Sequence, residues 1–169
     1  MPQVLILPIV DNESIVMARV KRPVIADATL ELPAGGMNEG ESPREAARRE
    51  LREETGLTVS DLRRFEMLPP LMHMPRSPLM PHVFKVSATG DEFCRRGPHD
   101  HEIEKIECID FGTILDMIIS GEIYVGLHIG IIMRFLLKDA VDAITSWKTS
   151  TTARPKEASP SAPSRTEML

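Results

Sequence analysis

Three glutamates, Glu50, Glu53 and Glu54, stand at i, i+3 and i+4 within residues 35–57, GGMNEGESPREAARRELREETGL. On a helix that spacing gathers three carboxylates on one face, where they repel unless something positive lies among them. A hard divalent cation such as Mg²⁺, which takes oxygen ligands, would satisfy them. So would the arginines of the same stretch, because Glu45–Arg49 and Arg49–Glu53 are i,i+4 pairs of an ordinary solvated helix. Charge alone does not separate these readings.

The element that must carry the glutamates is well marked. Ser42 is a natural N-cap, Pro43 falls at the first helical position where a missing N–H costs nothing, and Glu45 completes a capping box. Gly56 supplies the left-handed stop. A helix over residues 43–55 is predicted, entered through the paired glycines Gly35 and Gly36. These let backbone approach a ligand closely and offer a carbonyl to a metal.

Spacing decides what charge does not. The residues fit G-x5-E-x7-R-E-U-x-E-E-x-G-U, with U aliphatic, at Gly35, Glu41, Arg49, Glu50, Leu51, Glu53, Glu54, Gly56 and Leu57. The match resembles the Nudix box, the signature of hydrolases that cleave nucleoside diphosphates linked to another moiety. Further motifs are similar to the ADP-ribose pyrophosphatase branch: the lead-in Glu31-Leu32-Pro33-Ala34-Gly35, the run Arg19-x-x-Arg22-Pro23, the stretch 117–123 (MIISGEI), and a proline-containing loop around residues 75–78. The resemblance covers about residues 4–140 and is looser outside the box.

That resemblance implies the Nudix fold, an α/β/α sandwich with a mixed central β-sheet and the box helix on one face. It implies Mg²⁺ (or Mn²⁺) held by Glu50 and Glu54, helped by Glu53 and the Ala34 carbonyl. Glu41 and Arg49 would pair to brace the loop before the helix. Glu104, with Glu102 two residues away as the alternative, would be the loop glutamate that deprotonates water. Glu31, Arg22 and Arg19 would approach the substrate's ribose or phosphates. The expected reaction splits ADP-ribose to AMP and ribose 5-phosphate, in a homodimer. Another nucleoside diphosphate sugar, a dinucleoside polyphosphate, or a non-catalytic nucleotide-sensing module of the same fold are the alternatives. Two departures stand out: 34 residues precede Gly35, too few for the N-terminal subdomain of the longer enzymes, and Lys21 stands where that branch commonly has an aromatic.

The bulk composition agrees with an enzyme of small anions. The 169 residues can bury one proper core, and 42% hydrophobic with 27% charged residues is ordinary for a globular chain. A net charge of −5 with no basic block gives no footprint for nucleic acid, so metal and local arginines must receive an anionic substrate. The apolar run 129–137 is broken by Arg134 and falls short of the roughly 20 residues a membrane helix needs. The opening MPQVLILPIV lacks a basic n-region, so the cytoplasm is the expected compartment. Cys94 and Cys108 are expected to be free and buried.

In chain order, residues 4–10 and 14–19 read as a hairpin, and 29–32 as a short extended piece entering the box. Residues 61–67 read as a strand, 69–81 as a proline-rich loop whose methionines cover the core, and 82–88 as a strand. A polar loop follows over 90–104, where His99, Asp100 and His101 make only a weak metal pattern. Residues 106–111 read as a strand, with helices at 114–119 and from 125 to about 148. The domain is placed at residues 1–148, with 149–169 a disordered tail by composition.

Overall fold

The computed structural model describes residues 2–23, 27–72 and 80–151, with side chains through residue 138. The elements are β1 (Gln3–Val10), β2 (Ser14–Arg22), β3 (Asp27–Glu31), β4 (Ala34–Gly36), α1 (Pro43–Thr55), β5 (Phe65–Leu68), β6 (His82–Ala88), α2 (Gly90–Cys94), β7 (Ile103–Asp110), α3 (Phe111–Ser120) and α4 (Gly126–Thr151). Two compact units divide the chain. Residues 1–136 form the sheet-centred one, and from residue 137 the described chain is the rest of α4. The expected tail lies outside the described residues from 152 on, as does the proline loop over 73–79.

β1 organises the sheet. Its near-continuous apolar run, VLILPIV, is buried throughout, as a strand covered on both faces requires. It pairs parallel with β6 and antiparallel with β2 and β4, which makes the sheet mixed, in the order β3-β2-β1-β6-β5 with β7 on β2. The β1–β2 turn uses Asp11 and Asn12 at φ 49° and 59°, a left-handed region these side chains tolerate. Past that turn the two strands diverge: β1 pairs with β4 and β2 with β3. The Glu31–Gly36 segment spans the gap between them, carrying the box glycine to the middle of the sheet.

Alternation along the strands builds two cores. Val4, Ile6, Val16, Ala18 and Phe84 pack beneath α1 with Ala46, Ala47 and Leu51. Leu5, Leu7, Ile15, Met17 and Leu30 pack on the other face with Ile114, Ile123, Ile131 and Ile132 of α3, α4 and their connection. This is the expected α/β/α sandwich with the box helix on one face. Among the described residues no helix is long and apolar enough to cross a membrane.

Several local expectations are corrected. Over residues 61–67 a 3-10 turn, Leu62–Arg64, precedes β5, because the Asp61 side chain accepts from the Arg63 N–H and competes with a ladder. The segment read as a loop over 90–104 contains α2, closed by a capping box in which Thr89 and Glu92 bond each other's backbone. The strand read from 106 begins at Ile103, so Glu104 lies in β7 and not in a loop. Met72 and Met80 are 51% and 52% exposed and do not cover the core; Leu71 of the same loop packs on it instead. Cys94 and Cys108 are free, as expected, but exposed: one ends a short surface helix, the other lies on β7, which among the described residues pairs with β2 alone.

Candidate functional site

The box helix forms for the reasons its sequence gives. The Ser42 hydroxyl accepts from the Glu45 N–H, Glu45 returns a carboxylate to the Ser42 N–H at 3.1 Å, and Gly56 stops the helix at φ 71°. Its buried face is Ala46, Ala47, Leu51 and Thr55. The two alanines let the helix close onto the sheet, which sets the glutamates against β4. The box glycine is required by that approach: a Cβ on Gly35 would stand 2.1 Å from Glu50 Cδ.

Arg49 is the hub. Its guanidinium donates to both Glu41 oxygens at 2.9 Å, to Glu50 Oε1 at 2.6 Å, to Glu53 Oε2 at 3.0 Å and to the Gly36 carbonyl at 2.7 Å. One side chain thus ties the entry loop, the glycine strand and the helix together. The bond to Arg49 holds the Glu41 carboxyl below its usual range. Lysine keeps the charge without the planar fork. Arg49→Lys is therefore expected to lower the unfolding free energy by about 2 kcal/mol, because half-buried carboxylates lose charge-assisted bonds. The shift of the urea midpoint measures it, and an unchanged midpoint would show that the fork contributes nothing.

Glu54 lies deeper. It accepts the Ala34 N–H at 2.9 Å. Burial pushes its carboxyl up to about 7; the Ala34 bond opposes this, and the nearby charges of Glu50 and Glu31 add to it. Glu31 ends β3 and is held by Arg22 of β2 in a two-pronged pair of 2.8 and 2.6 Å, with the Thr29 hydroxyl on the same carboxylate. Burial raises the Glu31 carboxyl, but the Arg22 and Thr29 bonds outweigh it and leave it below the ordinary value. The Glu31 bonds raise the Arg22 guanidinium, burial opposes them, and the charges of Glu54 and Glu102 add to the rise. Arg22 is thus paired with Glu31 and lies in the field of Glu54 and Glu102.

The sheet register sorts the remaining candidates. Ala18 faces Glu31 and Arg22 faces Asp27, so Glu31 and Arg22 share the α1 side. Arg19 falls on the opposite side, its cross-strand partner Leu30 belonging to the core under α3 and α4. There Arg19 bonds Glu107 at 2.9 Å and reaches Glu122 at 3.5 Å, so it braces β7 and the α3–α4 connection and is not brought to the box. Glu104 is the extra residue of a β-bulge: Arg19 pairs with Lys105 and Val20 with Ile103. It lines a pocket of about 460 Å³ together with Lys21, Arg22 and Asp27. Glu102 lies in the turn before β7. The chain leading to it is pinned on the end of α1 by Gly97 N–H to the Gly56 carbonyl and Asp100 N–H to the Glu53 carbonyl, both 2.9 Å.

A larger hollow, about 660 Å³, flanks the outer side of α1 between Glu39, Arg48, Arg52 and Ser60. Glu50, Glu53 and Glu54 do not line it, so the reacting groups are elsewhere. Sequence reasoning missed His128. It is buried in α4, and its Nδ1 accepts the Leu32 N–H at 2.9 Å, fixing the backbone that leads to Ala34. Its helical spacing with Ile131 and Ile132 reads only as core, so no sequence signal marks it.

The donor chemistry suits a hard cation: every candidate atom is a carboxylate or backbone oxygen, and Glu54 carries a burial penalty that positive charge would relieve. Among the described residues no three His, Cys, Asp or Glu side chains already converge as a metal set. His101 instead pairs with Asp100 at 2.7 Å, and His99 contacts the Asp100 carbonyl.

Comparison with known proteins agrees with this architecture. A family model described as NUDIX domain matches residues 1–122. An ADP-ribose pyrophosphatase of Bacillus subtilis (strain 168) is 39% identical over 59 residues, which are 35% of this chain and 32% of that protein. The chain thus matches about a third of that curated relative's length. The crystal structure of an ADP compounds hydrolase superposes with a TM-score of 0.59 at 22% identity, over 84% of this chain and 73% of that one, a likeness of fold.

Proposed function

This chain belongs to the Nudix family, and from that premise we propose that it hydrolyses the pyrophosphate bond of a nucleoside diphosphate linked to another moiety. ADP-ribose, giving AMP and ribose 5-phosphate, is the substrate of choice. The observation that carries the reading is Glu54: a half-buried carboxylate on the box helix, pushed up to about 7 by burial with the charges of Glu50 and Glu31 adding to the rise. Groups destabilised in their charged form cluster at functional sites.

Glu50 and Glu54, with Glu53 and the Ala34 carbonyl, would hold Mg²⁺, which polarises the phosphoryl oxygens and makes bound water more acidic. Every other role falls to side chains. Arg22, fixed by Glu31, offers its remaining N–H groups to the pyrophosphate oxygens. Arg49 holds the entry loop and Glu50 in register. A Glu102 carboxylate oxygen takes the proton of the attacking water. Its place in the turn ahead of β7 and its charge near Arg22 support this assignment over Glu104, which faces the neighbouring pocket.

The test is phosphatase-coupled phosphate release with Mg²⁺ over ADP-ribose, other nucleoside diphosphate sugars, NADH and diadenosine polyphosphates. Turnover of ADP-ribose above the rest is the expected result. Turnover of another member alone keeps the chemistry and replaces the substrate. A second reading, a non-catalytic nucleotide-binding module, draws on the engagement of Glu50 and Glu53 by Arg49. Tight nucleotide binding without turnover of any panel member would establish it.

A further inference from the structure

Leu32 and Pro33 join β3 to β4 and belong to neither strand. Their backbone groups therefore need partners outside the strand ladders. The Pro33 carbonyl accepts the Ile6 N–H at 2.8 Å. Leu32 is buried, and its N–H goes to His128 Nδ1 of α4 at 2.9 Å. Two residues on, the Ala34 N–H goes to Glu54 Oε2 of α1, also at 2.9 Å. Leu32 packs in the core under α4 with Ile131 and Ile132, whereas α1 covers the other face. The segment is thus held from both faces of the sheet, at Leu32 by α4 and at Ala34 by α1.

We propose that His128 is a positioning residue for the metal site, which acts through Leu32 on the residues to either side of it. On one side is Glu31, which orients Arg22. On the other are Pro33 and Ala34, whose carbonyl is the backbone donor offered to the cation. Proline fixes one torsion between Leu32 and Ala34, so a shift at the first is passed to the second with little slack. His128 is itself fixed, being 5% exposed in a packed helix. Polar side chains buried among the described residues are Thr29, Glu31, Thr55 and His128. Thr55 bonds the Leu51 carbonyl of its own helix, while the other three all serve residues 31–32. The buried polar groups are therefore concentrated on the chain that enters the box. The inference rests on the hydrolase reading for its metal, but it is read without turnover.

The test is Mn²⁺ titration of the full chain, followed by electron paramagnetic resonance at a temperature where every variant is folded. His128→Leu keeps bulk and loses the acceptor. It is expected to weaken Mn²⁺ binding about tenfold, the lower end of what losing an outer partner of a metal site costs. His128→Asn carries its amide oxygen on Cγ, as histidine carries Nδ1, and is expected to restore binding to near the parent's. A purely structural histidine would lower Tm in the leucine variant and leave Mn²⁺ affinity unchanged, which overturns the proposal. So does an asparagine variant that binds as weakly as the leucine one. If the leucine variant does not fold, amide exchange in the parent decides. Mg²⁺ is expected to slow exchange at Leu32 more than at Phe84, a core strand position away from the segment, since the bond and the metal must support each other reciprocally. Equal slowing at both overturns the proposal. A parent that binds Mn²⁺ yet turns over nothing ends the hydrolase reading, and the titrations still decide the role of His128.

Discussion

Glu54→Gln is expected to abolish turnover and, in metal-free protein, to raise thermal stability at alkaline pH while leaving it unchanged in acid. The two halves have one cause. Glutamine keeps an oxygen for the Ala34 N–H but cannot bring a negative charge to a metal. The fall in kcat/KM should exceed the roughly 10–100-fold that follows from losing a mere outer partner of a metal site. The stability half follows from linkage. The Glu54 carboxyl is raised from 4.5 to about 7 in the folded chain, chiefly by burial. Between those values the unfolded chain has released the proton and the folded chain retains it, so stability falls as pH rises through the window. Above about 7 the folded protein carries the full penalty. At about 1.4 kcal/mol per pH unit this is on the order of 3 kcal/mol, or roughly 5–10 °C in Tm for a chain of this size. Tm measured at pH 5 and pH 8 in chelator, for parent and variant, checks it. Added Mg²⁺ should likewise stabilise the parent more at pH 8 than at pH 5, since binding requires the ionised carboxylates. A Glu54→Gln protein that is less stable than the parent at pH 8 would refute the burial argument, and one that retains turnover would refute the metal role.

Gly56→Ala is expected to be the most damaging small substitution in the box. The residue sits at φ 71°, and a Cβ there would stand 2.0 Å from the Gly97 carbonyl oxygen and 2.7 Å from its carbon. Left-handed strain alone costs about 1 kcal/mol. Here backbone must also move, and what moves is the segment that carries Asp100 and Glu102 along the end of α1. A loss of about 3 kcal/mol or more is expected, with a fall in kcat as Glu102 leaves its place. Gly40→Ala is the control. It has a similar φ of 76° but nothing within 4 Å of the added carbon, so it should show the strain without the displacement. Equal urea midpoints for the two variants would remove the argument from contact.

The box helix was legible because its determinants are local: Ser42, Pro43, Glu45 and Gly56 act within a few residues of themselves, and all four behave in the fold as their types dictate. The hairpin, the strand His82–Ala88 and the two-sided burial of β1 were legible for the same reason, since apolar alternation is read along one strand. α2 has a local signal, Thr89 with Glu92, but at five residues within a polar segment it carries no apolar periodicity to be read.

The sequence by itself thus determined the family and fold, and the helix that carries the carboxylates. Tertiary structure alone decided how they are used. Side chains three apart on a strand point to opposite faces, so Arg22 joins the glutamates and Arg19 leaves them, a choice sealed only when β3 and β7 pair with β2. The bulge that turns Glu104 to the pocket, the Tyr124–Asp27 bond across 97 positions and the His128–Leu32 bond across 96 are settled by which strands and helices become neighbours. So is the charge on Glu54, because desolvation belongs to the assembled core and to no stretch of chain.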